Sequence, residues 1–324
     1  MKSLFRYLDI TTLGLAALAS LFVYQVYAAE FNEISELPYH YRVVNQSPNP
    51  SYELGSTGSL RLTIQNTGRA NWPINQVYLS SVLFNGIKNT ESQFITSNWV
   101  DNYRIAPMAS SPSIIRPREK VNFIIPLKSI KRPGVFQESF KPALEHLGFM
   151  DGDRIDWLVG TGGSAIQYQN AAGEDKEIKI WLDDQRLWAI ENGVVIMSAP
   201  VSTGMGGVYA TPIGTYTTYN HIDRAYSSAY KLYMDNWMAL KSTKYGLKGY
   251  GIHALPHVNV NPNNPKFKGK DGQLVGGRLY VDGRWYEGYS HIGKKMSHGC
   301  VRLGLSTSKT LFDWTEDGTK VEVI

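Results

Sequence analysis

The chain has one cysteine, Cys300, in 324 residues. No internal disulfide can form, which excludes the stapled, coreless scaffolds common among small exported domains. Charge blocks are missing too. The 33 Lys and Arg against 28 Asp and Glu leave a formal net charge of +5, spread along the chain, so no nucleic-acid partner is indicated. An apolar run long enough to span a bilayer occurs once, at residues 10–28, which argues against a multi-span membrane protein. No long internal repeat is present, so solenoid architectures drop out. What is there suits a globular protein: 43% hydrophobic and 19% charged residues provide for a sizeable core. The 20 Tyr and 8 Trp favour β structure with aromatic clefts. The length implies two domains, because single cores stop growing at roughly 250–300 residues.

Lys2 and Arg6 precede the run "ITTLGLAALASLFVYQVYA", with small residues at Ala28 and Ala29. Residues 1–28 read as a secretory signal cleaved after Ala28. The run is also long enough to remain as a membrane tether through residues 10–28. Both readings make the protein exported, to the periplasm or cell envelope. From Ser59, "SLRLTIQNTGRANWP" alternates through Leu60, Leu62 and Ile64 and then turns at Asn66-Thr67-Gly68. Residues 76–86, 119–127 and 131–144 read as further strands. They predict an antiparallel sandwich within a first domain at 29–170. Its "N-T-G-x-A-x-W" strand-turn loosely resembles that of immunoglobulin-like modules. His40 and His146, lone histidines, read as structural or surface residues. After a polar link at 167–177, strands are expected at 176–182, 186–193, 194–204, 211–219 and 318–324. A short helix at 307–317 would be capped by Ser306 or Thr307. The fold class is therefore mainly β, with a second β domain at 171–324.

Cys300 stands in "KKMSHGCVRL" (294–303). A free thiol titrates near 8.5, so only a few per cent is thiolate at pH 7. Bringing that value to about 6 takes about 3.4 kcal/mol of preferential stabilisation of the anion. An imidazolium and backbone N–H groups are the usual sources. His298 lies two residues before the cysteine. His253, in "GYGIHALPHV", His257 and His291 lie upstream. Strand alternation would put His298 and Cys300 on one face. A turn at Gly299 would instead gather N–H groups into a nest for an oxyanion. Residue chemistry leaves four readings open: an inert buried cysteine, a histidine-activated nucleophile, a metal site from His253, His257, His298 and Cys300, and a redox thiol. Pro256 breaks the i,i+4 histidine pair and no glutamate attends it, which weakens the metal reading. No second cysteine could resolve an oxidised one. Residues 301–324 contain no histidine, so a catalytic base must lie upstream.

"SHGCVRL" (297–303), "GIH" (251–253) and "TPIGTY" (211–216) together resemble the L,D-transpeptidase, or YkuD, catalytic domain over residues 176–324. The resemblance implies a β-sandwich or barrel-like fold and an enzyme that cross-links or trims peptidoglycan stem peptides. It implies Cys300 as nucleophile and His253 as general base, the latter oriented by a backbone carbonyl. Ser297, His298 and Gly299 would shape the cysteine loop, with N–H groups near Gly299 and Cys300 as oxyanion hole. Arg302 would organise that loop or bind a substrate carboxylate. The implied partners are a tetrapeptide stem as acyl donor and an amine of another stem, or water, as acceptor; no cofactor or metal is implied. One departure stands out. His253 and Ser297 are farther apart than the family commonly has them, so residues 261–295 read as an insertion. Its "RLYVDGRWYEG" is a hairpin signal with Asp282-Gly283 at the turn. The expectation is a lid or wall over the cleft, with Tyr280, Trp285 and Tyr286 facing substrate. Competing classes are a non-catalytic wall-binding protein and a sortase-like cysteine transpeptidase.

Overall fold

A computed structural model describes residues 35–84, 86, 88–163, 175–244, 246–259, 269–270, 272–275 and 278–324. The signal or tether at 1–28, most of the polar link and the first part of the insertion lie outside these residues. Among the described residues no helix is long and apolar enough to cross a membrane. The fold is mainly β.

The N-terminal half has six longer strands: β1 (Tyr41–Gln46), β2 (Thr57–Asn66), β3 (Val77–Ser81), β4 (Lys120–Lys128), β5 (Gly134–Leu144) and β6 (Ile155–Thr161). β1, β2 and β4 form one antiparallel sheet. β5 pairs antiparallel with β3 and β6 in another. Period-two patterning decides which faces meet. Leu60, Leu62 and Ile64 of β2 lie opposite Ile125, Phe123 and Val121 of β4, and all six are buried. Side chains of β5 and β6, including Phe136, Phe140 and Trp157, complete the same apolar cluster. Burying each such side chain contributes about 1.5–3 kcal/mol. The Asn66 turn has its own fastening. The Asn66 amide donates to the Ala70 and Ile115 carbonyls at 2.8 and 3.1 Å and accepts from the Gly68 N–H at 3.0 Å.

The C-terminal half continues with β7 (Lys176–Trp181), β8 (Arg186–Glu191), β9 (Val194–Pro200), β10 (Gly214–Ser227), β11 (Leu232–Ser242), β12 (Gly246–Ala254), β13 (His257–Asn259), β14 (Arg278–Val281), β15 (Arg284–Tyr286), β16 (Val301–Leu303) and β17 (Lys320–Val323). The main ladder runs β9-β8-β7-β17-β10-β11-β12-β16. It closes into a barrel where Ser202 bridges Arg302 and Gly204 bridges Ser297. That closing seam carries the cysteine loop. The helix α1 (Leu305–Trp314) buries Leu311 and Trp314. It starts earlier than the sequence suggests: Gly304 occupies the cap position without a side-chain hydrogen bond, and Ser306 and Thr307 lie inside the first turn.

The two halves share a seam. β9 pairs in parallel with β5 through Val194–Val135 and Val195–Phe136. Trp188 and Val195 belong to the N-terminal apolar cluster, and the Phe136 and Trp188 rings meet edge-on at 5.0 Å. Arg132 stacks over Trp181 at 3.7 Å and is ion-paired with Asp184. Beside this seam lies buried Glu138. Burial raises its carboxyl to about 7, against the opposing pull of the Ser92 hydroxyl and the Arg186 charge.

Candidate active site

Ser297 fixes the cysteine loop from both sides. Its N–H donates to the Thr203 carbonyl at 2.8 Å, and its own carbonyl accepts from the Met205 N–H at 3.0 Å. The Ser297 hydroxyl donates to the Cys300 carbonyl at 2.5 Å and accepts from the Gly299 N–H at 3.1 Å. Thr211 holds the other side. Its hydroxyl donates to the Gly299 carbonyl at 2.9 Å and accepts from the Gly204 N–H at 2.8 Å. Gln185 clamps Thr203 through two bonds, at 2.6 and 2.9 Å. Two glycines make this closeness feasible. Gly299 has φ +113°, and a Cβ there would lie 2.5 Å from the Tyr250 ring. A Cβ on Gly204 would lie 2.0 Å from the Tyr209 carbonyl oxygen.

His253 arrives on β12, in register with Arg302 on β16. It is almost fully buried. Its Nδ1–H donates to the Ala254 carbonyl at 2.5 Å, which leaves Nε2 as the lone-pair nitrogen. Trp237 of β11 stacks on the imidazole with ring centroids 5.5 Å apart and planes at 26°. Burial drags the imidazole from 6.5 down to about 3; the Ala254 contact opposes this and the Arg302 charge adds to it. The ring is therefore neutral at physiological pH.

Cys300 is half-buried at the same cleft. Its S–H makes a long contact with the Gly249 carbonyl at 4.0 Å. Burial pushes the thiol above its usual range, and neither the Gly251 backbone contact nor the Arg302 charge reverses this. A free-standing thiolate near pH 7 is therefore disfavoured. Desolvation exceeds the local stabilisation of the anion, and the resting pair is a neutral thiol and a neutral imidazole. The cleft has a volume of about 640 Å³. Cys300, His253, Trp237, Tyr250, Arg302, Tyr230, Glu287, His291 and His298 all line it. No cluster of three or more His, Cys, Asp or Glu side chains able to hold a metal occurs among the described residues.

Residues 175–323 match the family described as the L,D-transpeptidase catalytic domain, YkuD. The C-terminal half of the chain is a YkuD domain. Positions 253 and 300 both fall inside the matched span. Among solved structures, an L,D-transpeptidase from Stackebrandtia nassauensis is 24% identical, covering 50% of this chain and 62% of that one, at a TM-score of 0.32. The chain thus spans under two thirds of that protein's length. One from Mycobacterium smegmatis is 12% identical, covering 88% and 99%, at a TM-score of 0.33. One from Enterococcus faecium is 23% identical, covering 47% and 50%, at a TM-score of 0.31. No curated protein matches.

The YkuD domain brings Cys300, His253, His298 and Arg302 to one cleft. His298 shares it with Cys300 through the bend at Gly299, not through strand alternation; its ring stacks on Tyr230 at 4.9 Å and meets Tyr209 edge-on at 4.6 Å. The Gly299 N–H is already committed to Ser297, so it is not free for an oxyanion. The insertion hairpin forms as expected, β14 against β15 with Asp282-Gly283 between, and adds to the sheet through β13. Its aromatics sit away from the cleft lining. Tyr280 packs on Trp285 at 5.1 Å, and Tyr286 packs on His257 at 4.9 Å, with its hydroxyl 3.3 Å from Asp235. The cleft residues come from just after the hairpin: Glu287, His291 and Met296. His257 is fully buried beside Asp235, at 3.2 Å. Burial alone would raise the Asp235 carboxyl, but His257 and Arg224 hold it well below its ordinary range. Sequence reading missed Trp237, Thr211, Thr203 and Gln185. "TPIGTY" contained Thr211 without revealing its partner, and no spacing marks Trp237.

Proposed function

We propose that the protein is an exported cysteine L,D-transpeptidase acting on peptidoglycan stem peptides, with Cys300 as nucleophile and His253 as general base. The observation that carries this reading is the pairing, in one cleft, of the single thiol with an imidazole whose Nδ1 is pinned to the Ala254 carbonyl. Pinning fixes the tautomer, so Nε2 is the atom that accepts a proton.

Both groups rest neutral, so proton transfer accompanies attack. Sγ bonds to the carbonyl carbon at the L-centre of the third stem residue while Nε2 takes the thiol proton. The resulting oxyanion is met by the Cys300 N–H. Collapse breaks the C–N bond, and the departing terminal D-alanine amine takes the proton from Nε2, leaving a thioester. An acceptor amine, or water, then attacks the thioester carbonyl and gives its proton to Nε2. Collapse releases the thiolate, which takes that proton back. The acceptor alone decides between cross-linking and carboxypeptidase outcomes. These steps call for no metal or cofactor.

The first domain, 29–170, serves in this reading as an immunoglobulin-like spacer or wall-binding unit, and residues 1–28 as a signal or tether. The decisive experiment incubates the protein with purified tetrapeptide muropeptides and reads intact mass. A thioester adduct lost in Cys300→Ala supports the reading. Tight muropeptide binding with no adduct, and no labelling of Cys300 by a carbapenem, would make it a wall-binding protein instead. Acylation by a protein sorting peptide and not by muropeptides would make it sortase-like.

A further inference from the structure

A second concavity lies in the N-terminal half, apart from the cysteine cleft. It is an open groove of about 910 Å³ near one end of the β2–β4 ladder. Thr57 of β2 and Pro126 and Lys128 of β4 line one side, and the loop at 95–102 lines the other. That loop is fastened at three points. The Lys128 N–H donates to the Phe94 carbonyl at 2.9 Å, which ties the start of the loop to β4. The Trp99 indole N–H donates to the Pro126 carbonyl at 2.7 Å, and its ring tilts on Phe140 with centroids 6.1 Å apart. Asp101 closes the far end. One of its oxygens accepts the Tyr103 and Arg104 backbone N–H groups at 3.0 and 2.9 Å, and the other accepts the Arg104 guanidinium at 2.6 Å. Asp101 is the only acid lining the groove, and Arg104 neutralises it. What remains is polar and neutral. Ser97, Asn98 and Asn102 are exposed, and among the described residues their side chains have no hydrogen-bond partner. Ile95 and Trp99 line the same groove and adjoin the N-terminal apolar cluster.

We infer that this groove binds a neutral saccharide chain, with sugar hydroxyl and acetamido groups on Ser97, Asn98 and Asn102 and a sugar C–H face against Ile95 and Trp99. An asparagine amide carries donors and an acceptor side by side, so it pairs with a hydroxyl or an acetamide equally well. Other ligand classes fit poorly. A polyanion would find one free cation, Lys128, which is exposed and without an ion pair among the described residues. A cationic peptide would find no free carboxylate. An apolar peptide would bury the amides without partners. The fastened loop leaves little ordering cost on binding. The groove volume lies within the range of small-ligand sites. The inference rests on the proposed function only in naming wall glycan as the source. A glucan without acetamido groups shares the hydroxyl chemistry, so the test separates the two.

The full chain carrying Cys300→Ala forms no acyl-enzyme, so binding to it reads the groove apart from catalysis. Calorimetry would titrate it with a chito-oligosaccharide, a cello-oligosaccharide and wall glycan stripped of its stem peptides. Adding Asn98→Ala or Asn102→Ala should weaken binding about fivefold each, the scale of one neutral hydrogen bond. Together they should weaken it about 25-fold, as independent contacts add. Both side chains are exposed and unbonded, so the unfolding midpoint should stay at the parent value. Binding of the chito-oligosaccharide and the stripped glycan, but not of the cello-oligosaccharide, supports wall glycan. Binding of the cello-oligosaccharide alone overturns that source and keeps the groove. No saccharide binding, or binding that survives both substitutions, overturns the inference. Thioester formation by the wild-type protein without saccharide binding would remove the groove and leave the transpeptidase reading; saccharide binding without a thioester would do the reverse.

Discussion

The inner faces of β2 and β4 and the cysteine-loop anchors Ser297 and Gly299 are both buried, but they are held in different ways. In the first, Leu60, Phe123 and their neighbours exclude water through area alone, and no single atom pair specifies the position. In the second, Thr211, Ser297, Thr203 and Gln185 hold the chain through short directional bonds, and two glycines remove side chains that would clash. An apolar layer tolerates exchange at constant volume. A hydrogen-bonded loop tolerates exchange only where donor and acceptor survive. The first gives stability, and the second gives position.

Substitutions should separate the two. His253→Ala is expected to slow acylation of Cys300 by about 10²–10⁴-fold, the range for a lost general base, as read by the rate of adduct formation. Phe123→Ala should cost about 3–5 kcal/mol in chemical denaturation, while the folded fraction acylates at the parent rate. A slowed rate per folded molecule would mean that the two regions are not independent. Thr211→Val keeps shape and removes both hydroxyl bonds. It should cost about 1–3 kcal/mol and also slow acylation, whereas Thr211→Ser should restore both. Parent-like stability in Thr211→Val, with a slowed rate that Thr211→Ser restores, would sharpen the division further.

Two buried acid–base groups give a smaller contrast, with opposite signs. Glu138 is raised in the folded protein, so its contribution is full below about 4.5 and is lost as pH rises through about 7. His253 is lowered, so its contribution is full above 6.5 and is lost as pH falls toward about 3. Glu138→Gln should therefore remove a fall in stability between pH 4.5 and 7, and His253→Gln a rise between pH 3 and 6.5. Denaturation curves across that span check both. Alkylation of Cys300 should climb through the alkaline range, since the thiol titrates above its ordinary value. A plateau reached by neutral pH would restore the thiolate.

The same contrast explains what could be read in advance. Alternation announced Leu60, Leu62 and Ile64 because a strand period is local. "SHGC" with an upstream "GIH" announced the cysteine and histidine because the resemblance carries them. Thr211 and Gly299 are 88 positions apart, and their bond depends on how the barrel closes. Nothing in the local pattern distinguishes Tyr280 and Tyr286, which are buried, from residues facing a cleft. Ionisation is not legible in the same way: the gain from nearby donors can be guessed from residue types, while the desolvation that outweighs it requires the packed surroundings.

The ladder from Val194 to Val135, with the Trp188 indole set among N-terminal rings, bears on how the chain can be divided. A cut between the halves would leave an open strand edge and a bare indole on the enzymatic piece, both invitations to clump. The first half thus covers apolar surface of the second, and separating the two would bare Trp188 and Val195 to solvent.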